Sequence, residues 1–270
     1  MATPHIPTVE LAGRVPMPVL GLGSWKLSGP GAADSVMHAL DIGYRLIDTA
    51  GDYENGAQIA AVLDECAIPR DELFLISKVE EDEDGHAATR ARVEELGVDR
   101  LDLCLIHRPP DRGAGEGLWE GLVAAKAEGL TRAIGVSNYT TQQIDRLTTV
   151  SGETPAVNQI EWSPFGWSED VLAHAREAGV VIQAYSPVTR GERLADPALA
   201  AVAAAHGKTP AQVILRWDLQ LGVAVVPKAQ SPEHQRENLD VFDFELADDE
   251  MERLGRLNEH YSALAGLPYV

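Results

Sequence analysis

Short apolar runs rich in β-forming residues alternate with longer amphipathic segments along the whole chain. The apolar runs predict eight strands, at Val19–Leu22, Leu46–Asp48, Leu73–Ser77, Leu101–Ile106, Ala133–Val136, Val157–Gln159, Val180–Ala184 and Ala224–Val226. Helical segments are predicted between them at 31–42, 56–66, 86–96, 117–128, 141–150, 169–178, 209–220 and 248–258, with additional helices at 197–205 and 232–239. This alternation predicts parallel strands joined by crossover helices.

The regular alternation favours a closed (β/α)8 TIM barrel over an open doubly wound sheet, and no GxGxxG motif follows a strand. Several helix ends carry capping residues. Ser168 precedes two acidic residues, Gly179 follows a helical segment, and Thr209 precedes Pro210. These residue types favour helix starts and stops at those positions.

The length of 270 residues fits one (β/α)8 domain, so we expect a single domain over residues 1–270. No apolar run approaches the roughly 20 residues that span a bilayer. The opening residues lack a basic region followed by an apolar core, which predicts no signal peptide and a cytoplasmic protein. Only two cysteines occur, and no CxxC or HExxH pair is present, so we expect no metal site.

The net charge is −20, from 22 basic and 42 acidic residues. Such an acidic chain is unsuited to nonspecific binding of nucleic acid or an anionic membrane. The acidic run Glu80–Asp84 is expected to be a solvated face.

Four residues with different chemistry stand at or just after the ends of three successive predicted strands: Asp48, Tyr53, Lys78 and His107. Parallel neighbouring strands bring such positions together at the carboxyl-terminal mouth of a barrel. An acid, a phenol, an amine and an imidazole together suit proton donation to a carbonyl oxygen while another group delivers hydride.

A phenol has an ordinary pKa near 10, and a neighbouring ammonium lowers it. Lys78 is expected to supply that charge, Asp48 to hold Lys78, and His107 to bind the substrate oxygen. Taken singly, each residue also has a structural interpretation. Asp48 fits a turn or cap, Lys78 a sheet edge, His107 a loop, and Tyr53 a packing residue.

The sequence around these four residues resembles the aldo-keto reductase family. The matching stretches follow the family's order at 17–27, 43–53, 73–79, 98–109, 132–139, 155–165, 181–188, 207–217 and 225–246. The resemblance implies a barrel oxidoreductase that uses a nicotinamide nucleotide. It also implies that Tyr53 is the general acid in reduction, tuned by Lys78 and Asp48, with His107 orienting the carbonyl.

The resemblance further implies a set of cofactor contacts. Tyr185 corresponds to the aromatic residue that stacks on the nicotinamide, and Ser137, Asn138 and Gln159 to the residues that bind its carboxamide. At the other end of the cofactor, the expected contacts to phosphates and adenine come from Ser186, Arg190, Lys228, Glu237 and Asn238.

The chain departs from the family pattern where the 2′-phosphate of NADP would bind. The family has Ser and Arg there, whereas this chain has Ala229 and His234 after Lys228. Losing such charged contacts costs on the order of 1–3 kcal/mol. We therefore expect NADPH to be used with a reduced advantage over NADH. The alternative is that another arginine, such as Arg236, restores the preference.

The predicted substrate pocket contains Trp25, His107 and Arg108. Glu80 and Arg108 stand where the family often has aromatic residues, and Arg108 suits a substrate carboxylate. The alternative is a surface pair of Arg108 with Glu80 or Asp111. Trp162 and Trp167 are candidates for either the pocket or packing. The short tail after Asn258 predicts an open site.

The most probable function from sequence is therefore reduction of aldehydes or ketones, with small aldehydes, dicarbonyls, keto acids or sugars as substrates. The best resemblance is to bacterial reductases of diketo-gluconate and methylglyoxal. Two alternatives remain: a cofactor-binding sensor or regulatory subunit with little turnover, and alcohol oxidation in the reverse direction. We expect a monomer whose only partner is its small-molecule carbonyl substrate.

Overall fold

A computed structural model describes residues 6–264 and 266–269. The strands are β1 Thr8–Leu11, β2 Val15–Pro18, β3 Leu22–Gly23, β4 Leu46–Asp48, β5 Phe74–Val79, β6 Leu101–Ile106, β7 Thr131–Ser137, β8 Val157–Glu161, β9 Val181–Tyr185 and β10 Ala224–Val225. The helices are α1 Pro30–Ile42, α2 Gly56–Glu65, α3 Gly85–Glu95, α4 Glu116–Glu128, α5 Thr141–Ser151, α6 Glu169–Ala178, α7 Pro197–His206, α8 Pro210–Gln220, α9 Pro232–Leu239 and α10 Asp248–Gly255. The signal-peptide prediction rests partly on residues 1–5, which lie outside the described residues.

Strands β3 to β10 form one parallel sheet in which sequence neighbours are also spatial neighbours. The sheet closes because the segment around β3 also pairs with β10. The amide of Gly21 donates to the carbonyl of Val225 at 3.0 Å, and the amide of Val225 donates to the carbonyl of Val19 at 2.8 Å. The predicted (β/α)8 barrel is therefore confirmed.

The predicted helix ends are also confirmed. The Ser168 hydroxyl accepts from the amide of Val171 at the start of α6, and Gly179 ends that helix with a left-handed φ of 71°. At the start of α8, Thr209 and Gln212 form a reciprocal capping box, and Pro210 occupies the first turn. These caps satisfy amides that have no partner within the helix.

A hairpin of β1 and β2 was not predicted. Its strand β2 buries Val15 and Met17 and turns Pro16 and Pro18 towards the surface, the alternation of a strand with one buried face. The two prolines disguise this pattern, because proline is rare within sheets except at edges. Leu11, Val15 and Met17 pack against the inward-facing residues of the barrel strands. The hairpin therefore closes the amino-terminal end of the barrel.

One carboxyl group lies buried in the helical layer without a partner. Asp218 in α8 is 0% exposed, and neither of its carboxylate oxygens has a hydrogen-bond partner among the described residues. Burial raises the pKa of Asp218 well above its ordinary value, so the side chain stays protonated in the fold.

This arrangement predicts that Asp218→Asn stabilises the fold in a pH-dependent way. Because the pKa is higher in the folded state, the unfolded chain ionises first, and the wild type loses stability as pH rises above about 4. Asparagine resembles the protonated acid but never ionises. We expect a gain of about 1–3 kcal/mol near pH 8 and no gain near pH 4.

The measurement is the thermal unfolding midpoint at both pH values. Asp64→Asn, which changes an exposed aspartate in α2, is the control. An equal shift at both pH values would contradict the assignment of a protonated Asp218.

Candidate active site

Asp48 and Tyr53 meet at the carboxyl-terminal mouth of the barrel around the buried ammonium of Lys78. The Nζ atom of Lys78 donates to Asp48 Oδ1 at 2.8 Å, to the Tyr53 hydroxyl at 3.2 Å and to the carbonyl of Thr49 at 3.0 Å. Lys78 is 0% exposed, so these three bonds use all of its protons in place of water. The sequence predicted that these residues meet, because Asp48 and Lys78 lie at the ends of neighbouring parallel strands and Tyr53 follows the first of them.

Tyr53 reaches this position because the chain turns sharply after β4. It is the last residue of a 3₁₀ helix, Gly51–Tyr53. The buried Asn55 holds this segment: its Nδ2 donates to the carbonyl of Ser24 at 2.9 Å, and its Oδ1 accepts from Thr49 at 2.7 Å. The following residue is Gly56, where a side chain would overlap the carboxylate of Glu95 in α3. Glycine at position 56 therefore leaves room for the Glu95 side chain.

The electrostatics of Tyr53 differ from the expectation. Burial raises the pKa of Tyr53 above its ordinary value, and the charge of Lys78 only partly opposes this. Burial alone lowers the pKa of Lys78, but Asp48 and Tyr53 together raise it, so the ammonium stays charged. The expected net lowering of the Tyr53 pKa is thus wrong for this structure, because sequence gives no measure of burial. Tyr53 is a neutral phenol beside a fixed positive charge.

The acid of the site has a second contact. Asp48 Oδ2 accepts from Gln159 Nε2 at 2.7 Å, and the same nitrogen donates to Gln183 Oε1 at 2.7 Å. Gln159 therefore joins the ion pair to the side of the barrel that carries β8 and β9. Gln183, whose side chain is fully buried inside the barrel, was missed because an isolated Gln within an apolar strand gives no functional signal.

His107 follows β6 and faces an acidic pair. Its Nδ1 lies 2.9 and 3.0 Å from the two Glu80 carboxylate oxygens, and 3.5 Å from Asp52 Oδ1. Its ring meets the Tyr53 ring edge-on, with centroids 5.7 Å apart. Glu80 was predicted to lie on a solvated face, and this is wrong. It lies two residues after Lys78 along the strand direction, so its side chain turns towards the same mouth.

In the rest of the acidic run, Glu81 and Asp82 are exposed as predicted, whereas Glu83 and Asp84 make structural contacts. Glu83 forms an ion pair with Arg92 at 2.7 Å, and Asp84 caps α3 by accepting from the amide of Ala87. The predicted surface pair of Arg108 with Glu80 or Asp111 is absent from the ion pairs of the described residues. Arg108 is exposed at the rim of the cleft instead.

A single cleft of about 1020 Å³ runs across the mouth of the barrel. Asp48, Tyr53 and His107 line it, and Lys78 lies behind them. The candidate substrate residues Trp25 and Arg108 also line it. The candidate cofactor residues on the cleft wall are Ser137, Asn138, Gln159, Tyr185, Ser186, Arg190, Lys228, His234, Glu237 and Asn238. The fold therefore gathers every such residue proposed from sequence around one space.

Near Tyr53, the cleft wall is a network of amide and hydroxyl groups. The Tyr185 hydroxyl donates to Asn138 Oδ1 at 2.7 Å, and Asn138 Nδ2 donates to Ser137 Oγ at 3.1 Å and to the carbonyl of His107 at 3.2 Å. Asn138 adopts a left-handed φ of 64°, which asparagine tolerates better than most residues. These hydrogen bonds hold the hydroxyl end of the Tyr185 side chain against Asn138.

The loop after β9 forms another wall with unusual backbone. Ser186, Thr189 and Arg190 have positive φ values of 48°, 51° and 54°. Such conformations cost energy in residues with a Cβ and are often found at binding sites. The guanidinium of Arg190 lies 5.7 Å from the Trp25 ring centroid, and the ammonium of Lys26 lies 4.3 Å from it. Two cations therefore flank Trp25 at this rim, and sequence reasoning missed Lys26.

At the end of the cleft opposite Tyr53, few cationic side chains line the wall. Lys228 and His234 line this end, but Arg236 does not. The Arg236 guanidinium instead contacts His38 Nε2 at 2.8 Å. Glu237 accepts a hydrogen bond from the Thr209 hydroxyl, so α9 is tied to the cap of α8. In this structure the Arg236 side chain therefore points to His38 and does not line the part of the cleft where His234 lies.

The carboxyl-terminal segment covers part of the cleft, which corrects the expectation of an open site. Leu264, Gly266, Leu267 and Pro268 line the cleft wall. Glu161, at the end of β8, holds this segment: its carboxylate accepts from the amide of Ala263 at 2.6 Å and from the Ser262 hydroxyl at 2.5 Å. Sequence reasoning missed Glu161, because only the folded chain brings the tail to β8.

The two candidate tryptophans are packing residues. Trp162 is 0% exposed and contacts Trp167 and Tyr269, with ring centroids 6.2 and 5.9 Å away. Neither tryptophan lines the cleft. Tyr269 donates to the carbonyl of Gly166 at 2.9 Å, so this aromatic group anchors the tail from outside the substrate pocket.

Comparison with known proteins places this arrangement in one family. A sequence model of the Aldo/keto reductase family matches residues 19–259. The chain belongs to the aldo/keto reductase family. It is 46% identical over 259 residues to an aldo-keto reductase of Mycolicibacterium vanbaalenii, covering 94% of this chain and 93% of that protein. The resemblance seen in the sequence is thereby confirmed, and this aldo-keto reductase is an oxidoreductase.

Solved structures agree with the assignment. An aldo/keto reductase from Brucella melitensis is 35% identical, with a TM-score of 0.88 over 94% of this chain and 100% of that one. An aldo-keto reductase of Bombyx mori in complex with NADP is 30% identical, with a TM-score of 0.90 over 96% and 95% of the two chains. Within the described part of the present aldo-keto reductase, no helix is long and apolar enough to cross a membrane.

The Glu161 contacts predict that Glu161→Ala releases the tail of this reductase. Losing two acceptors on the tail should increase the rate of proteolytic cleavage within residues 259–269 by roughly tenfold, since local opening then costs about 1.4 kcal/mol less. Limited proteolysis followed by mass spectrometry measures this rate. The control is Glu177→Ala, which removes an exposed glutamate from α6. Equal cleavage of the two variants would show that Glu161 does not anchor the tail.

Proposed function

We propose that this protein reduces aldehydes and ketones to alcohols with a reduced nicotinamide nucleotide. One observation carries the proposal: the Tyr53 phenol faces the cleft and accepts a hydrogen bond from the buried ammonium of Lys78 at 3.2 Å. A neutral phenol beside a fixed cation suits proton donation to an oxygen on which negative charge develops. Membership of the family and the NADP complex of the silkworm relative support the same reaction.

The cleft fits a nicotinamide nucleotide in both shape and donor set. Near Tyr53 it presents the flat ring of Tyr185 and the polar groups of Ser137, Asn138 and Gln159, which suit an aromatic carboxamide. The opposite end presents Lys228, which suits phosphate. When bound, the nicotinamide supplies the hydride. Tyr185 then fixes which face of the ring is turned to the substrate.

The residues of the chain handle the proton. Tyr53 donates its hydroxyl proton to the carbonyl oxygen as the carbonyl carbon is reduced, which leaves a phenolate next to Lys78. The Lys78 ammonium stabilises that phenolate, and Asp48 keeps the ammonium in place. In alcohol oxidation, the same phenolate takes the proton back. The Lys78–Asp48 pair also argues against a sensor with little turnover, because a site that only binds a nucleotide has no need of such a pair.

Small aldehydes, dicarbonyls and keto acids or sugars are the proposed substrates. Arg108 is exposed at the rim and makes no ion pair within residues 6–264 and 266–269, so its guanidinium is available to a substrate carboxylate. The proposals of a monomer and of a cytoplasmic location stand as predictions from the sequence.

The first experiment follows oxidation of the nucleotide by its absorbance, with methylglyoxal or a nitrobenzaldehyde as substrate and NADPH beside NADH. Turnover with both nucleotides at comparable efficiency supports the reductase and its weak 2′-phosphate site. Turnover with NADPH alone retains the reductase and rejects the interpretation of His234. Nucleotide binding without turnover of any carbonyl tested would favour the sensor alternative.

Tyr53→Phe should lower turnover by a factor of at least about 10² and leave nucleotide affinity unchanged, because it removes the hydroxyl that donates the proton and keeps the ring. The measurements are kcat and nucleotide affinity by fluorescence. Tyr139→Phe is the control, since the Tyr139 hydroxyl is buried against the carbonyl of Ala114 outside the cleft. Near-normal turnover in Tyr53→Phe would rule out this residue as the acid.

His234→Arg should tighten NADPH binding by about 10-fold or more without a similar gain for NADH, because arginine adds a permanent charge and several donors. The ratio of the two dissociation constants measures the effect. His174→Arg places the same change in α6, beside Asp145 and outside the cleft. An unchanged ratio in His234→Arg would reject a 2′-phosphate site at this position.

A further inference from the structure

The His107 ring has two nitrogen atoms in different surroundings. Nδ1 lies against the Glu80 carboxylate at 2.9 and 3.0 Å, with Asp52 Oδ1 at 3.5 Å. Nε2 makes no hydrogen bond within the described residues, and the side chain lines the cleft. Nε2 is therefore the atom that is available to a substrate oxygen.

Glu80 is ionised in this setting. Burial by itself raises the pKa of Glu80, but the hydrogen bond and charge of His107 outweigh it, with help from Arg108 and Arg92, and the net pKa is lowered. An ionised carboxylate only accepts hydrogen bonds, so the proton in this contact belongs to Nδ1. In a neutral ring, the proton on Nδ1 leaves Nε2 with a lone pair and no proton.

We propose that Glu80 is a positioning residue that holds neutral His107 in the tautomer with the proton on Nδ1. In this tautomer, Nε2 accepts a hydrogen bond from an alcohol but donates one to a carbonyl only when the ring is protonated. The proposal rests on the proposed reaction, since it concerns the substrate oxygen, and it names a residue outside the four that carry the chemistry.

The two directions of the reaction then require different forms of His107. A carbonyl oxygen has no proton to donate, so reduction needs the imidazolium. The hydroxyl of an alcohol donates to neutral Nε2, so oxidation tolerates the neutral ring. A ring without the Glu80 contact has access to the other tautomer, in which neutral Nε2 carries the proton and serves reduction without an added charge.

Several charged and titratable side chains surround the His107 ring. Glu80 follows β5, Asp52 and Tyr53 belong to the 3₁₀ helix, and Arg108 is the next residue along the chain. Lys78 lies behind Tyr53. Carboxylates ordinarily titrate below about pH 5, and phenols, amines and guanidinium groups above about pH 9.

The direct test is nitrogen-15 NMR of the full-length protein labelled at histidine, which distinguishes protonated from bare ring nitrogens. His107→Asn identifies the His107 signals by their loss. We expect the wild type to show a protonated Nδ1 and a bare Nε2 when the ring is neutral. Glu80→Leu should shift the populations towards a proton on Nε2. Glu81→Gln, a charge change at the neighbouring exposed residue, should leave the wild-type pattern intact.

If Glu80→Leu does not fold, Glu80→Asp withdraws the acceptor by one methylene group and keeps the charge, and the same shift is expected. A wild-type ring with its proton on Nε2, or a pattern that neither Glu80 variant changes, would overturn the proposal. A divalent metal on Nδ1, revealed by signals that a chelator alters, would overturn it as well.

Kinetics provide the second readout. In the wild type, kcat for carbonyl reduction should fall as pH rises, because neutral Nε2 in this tautomer has no proton to donate, while kcat for oxidation of the product alcohol should not fall. Glu80→Leu should lose this fall in reduction, whereas Glu81→Gln should keep it. Because the NMR experiment needs no turnover, failure of the proposed reaction and failure of the tautomer proposal give different results.

Discussion

The buried ion pair of Lys78 and Asp48 is the interaction on which the arrangement of this mouth depends. Removing water from an ammonium is expensive, and here three acceptors replace it: a carboxylate, a phenol and a backbone carbonyl. Losing one charge of such a pair typically costs about 3–5 kcal/mol, because the other stays buried without a partner. The same contacts that satisfy Lys78 also hold Tyr53 at the cleft, so stability and chemistry share one set of bonds.

Around this pair, hydrogen bonds of three further residues hold the site together. Gln159 joins Asp48 to the β8 side of the barrel, and Asn55 ties the turn that carries Tyr53 to the loop after β3. Glu161 holds the carboxyl-terminal segment over the cleft. Gln159 and Glu161 belong to β8, and Asn55 lies between β4 and α2, so the mouth of the barrel collects side chains from distant parts of the sequence. The amino-terminal hairpin packs Leu11, Val15 and Met17 against the barrel strands at the opposite end.

The acidic groups at the mouth divide into two roles. Asp48 neutralises Lys78, whereas Glu80 and Asp52 face His107. The departure from the family's aromatic residue at Glu80 therefore gives His107 a carboxylate partner in place of an apolar wall. At the end of the cleft that contains Lys228, the departure at His234 removes a permanent charge, and Arg236 contacts His38 and does not line the cleft. The departures at Glu80 and His234 both change the charge near the cleft, whereas the buried Lys78–Asp48 pair is kept.

The sequence by itself determined the barrel, most of its strands and helices within one or two residues, and the residues that gather at the cleft, but not the amino-terminal hairpin. It did so because hydrophobic periodicity, helix-capping residues and the ends of apolar runs are local signals in the sequence. In addition, parallel strands bring their carboxyl ends together whatever the details of packing. Tertiary structure alone decided the rest: the burial that raises the pKa of Tyr53, the Glu80 contact of His107, and the Glu161 contact with the tail. These depend on which side chains exclude water and which distant segments meet, and no local pattern in the chain carries that information.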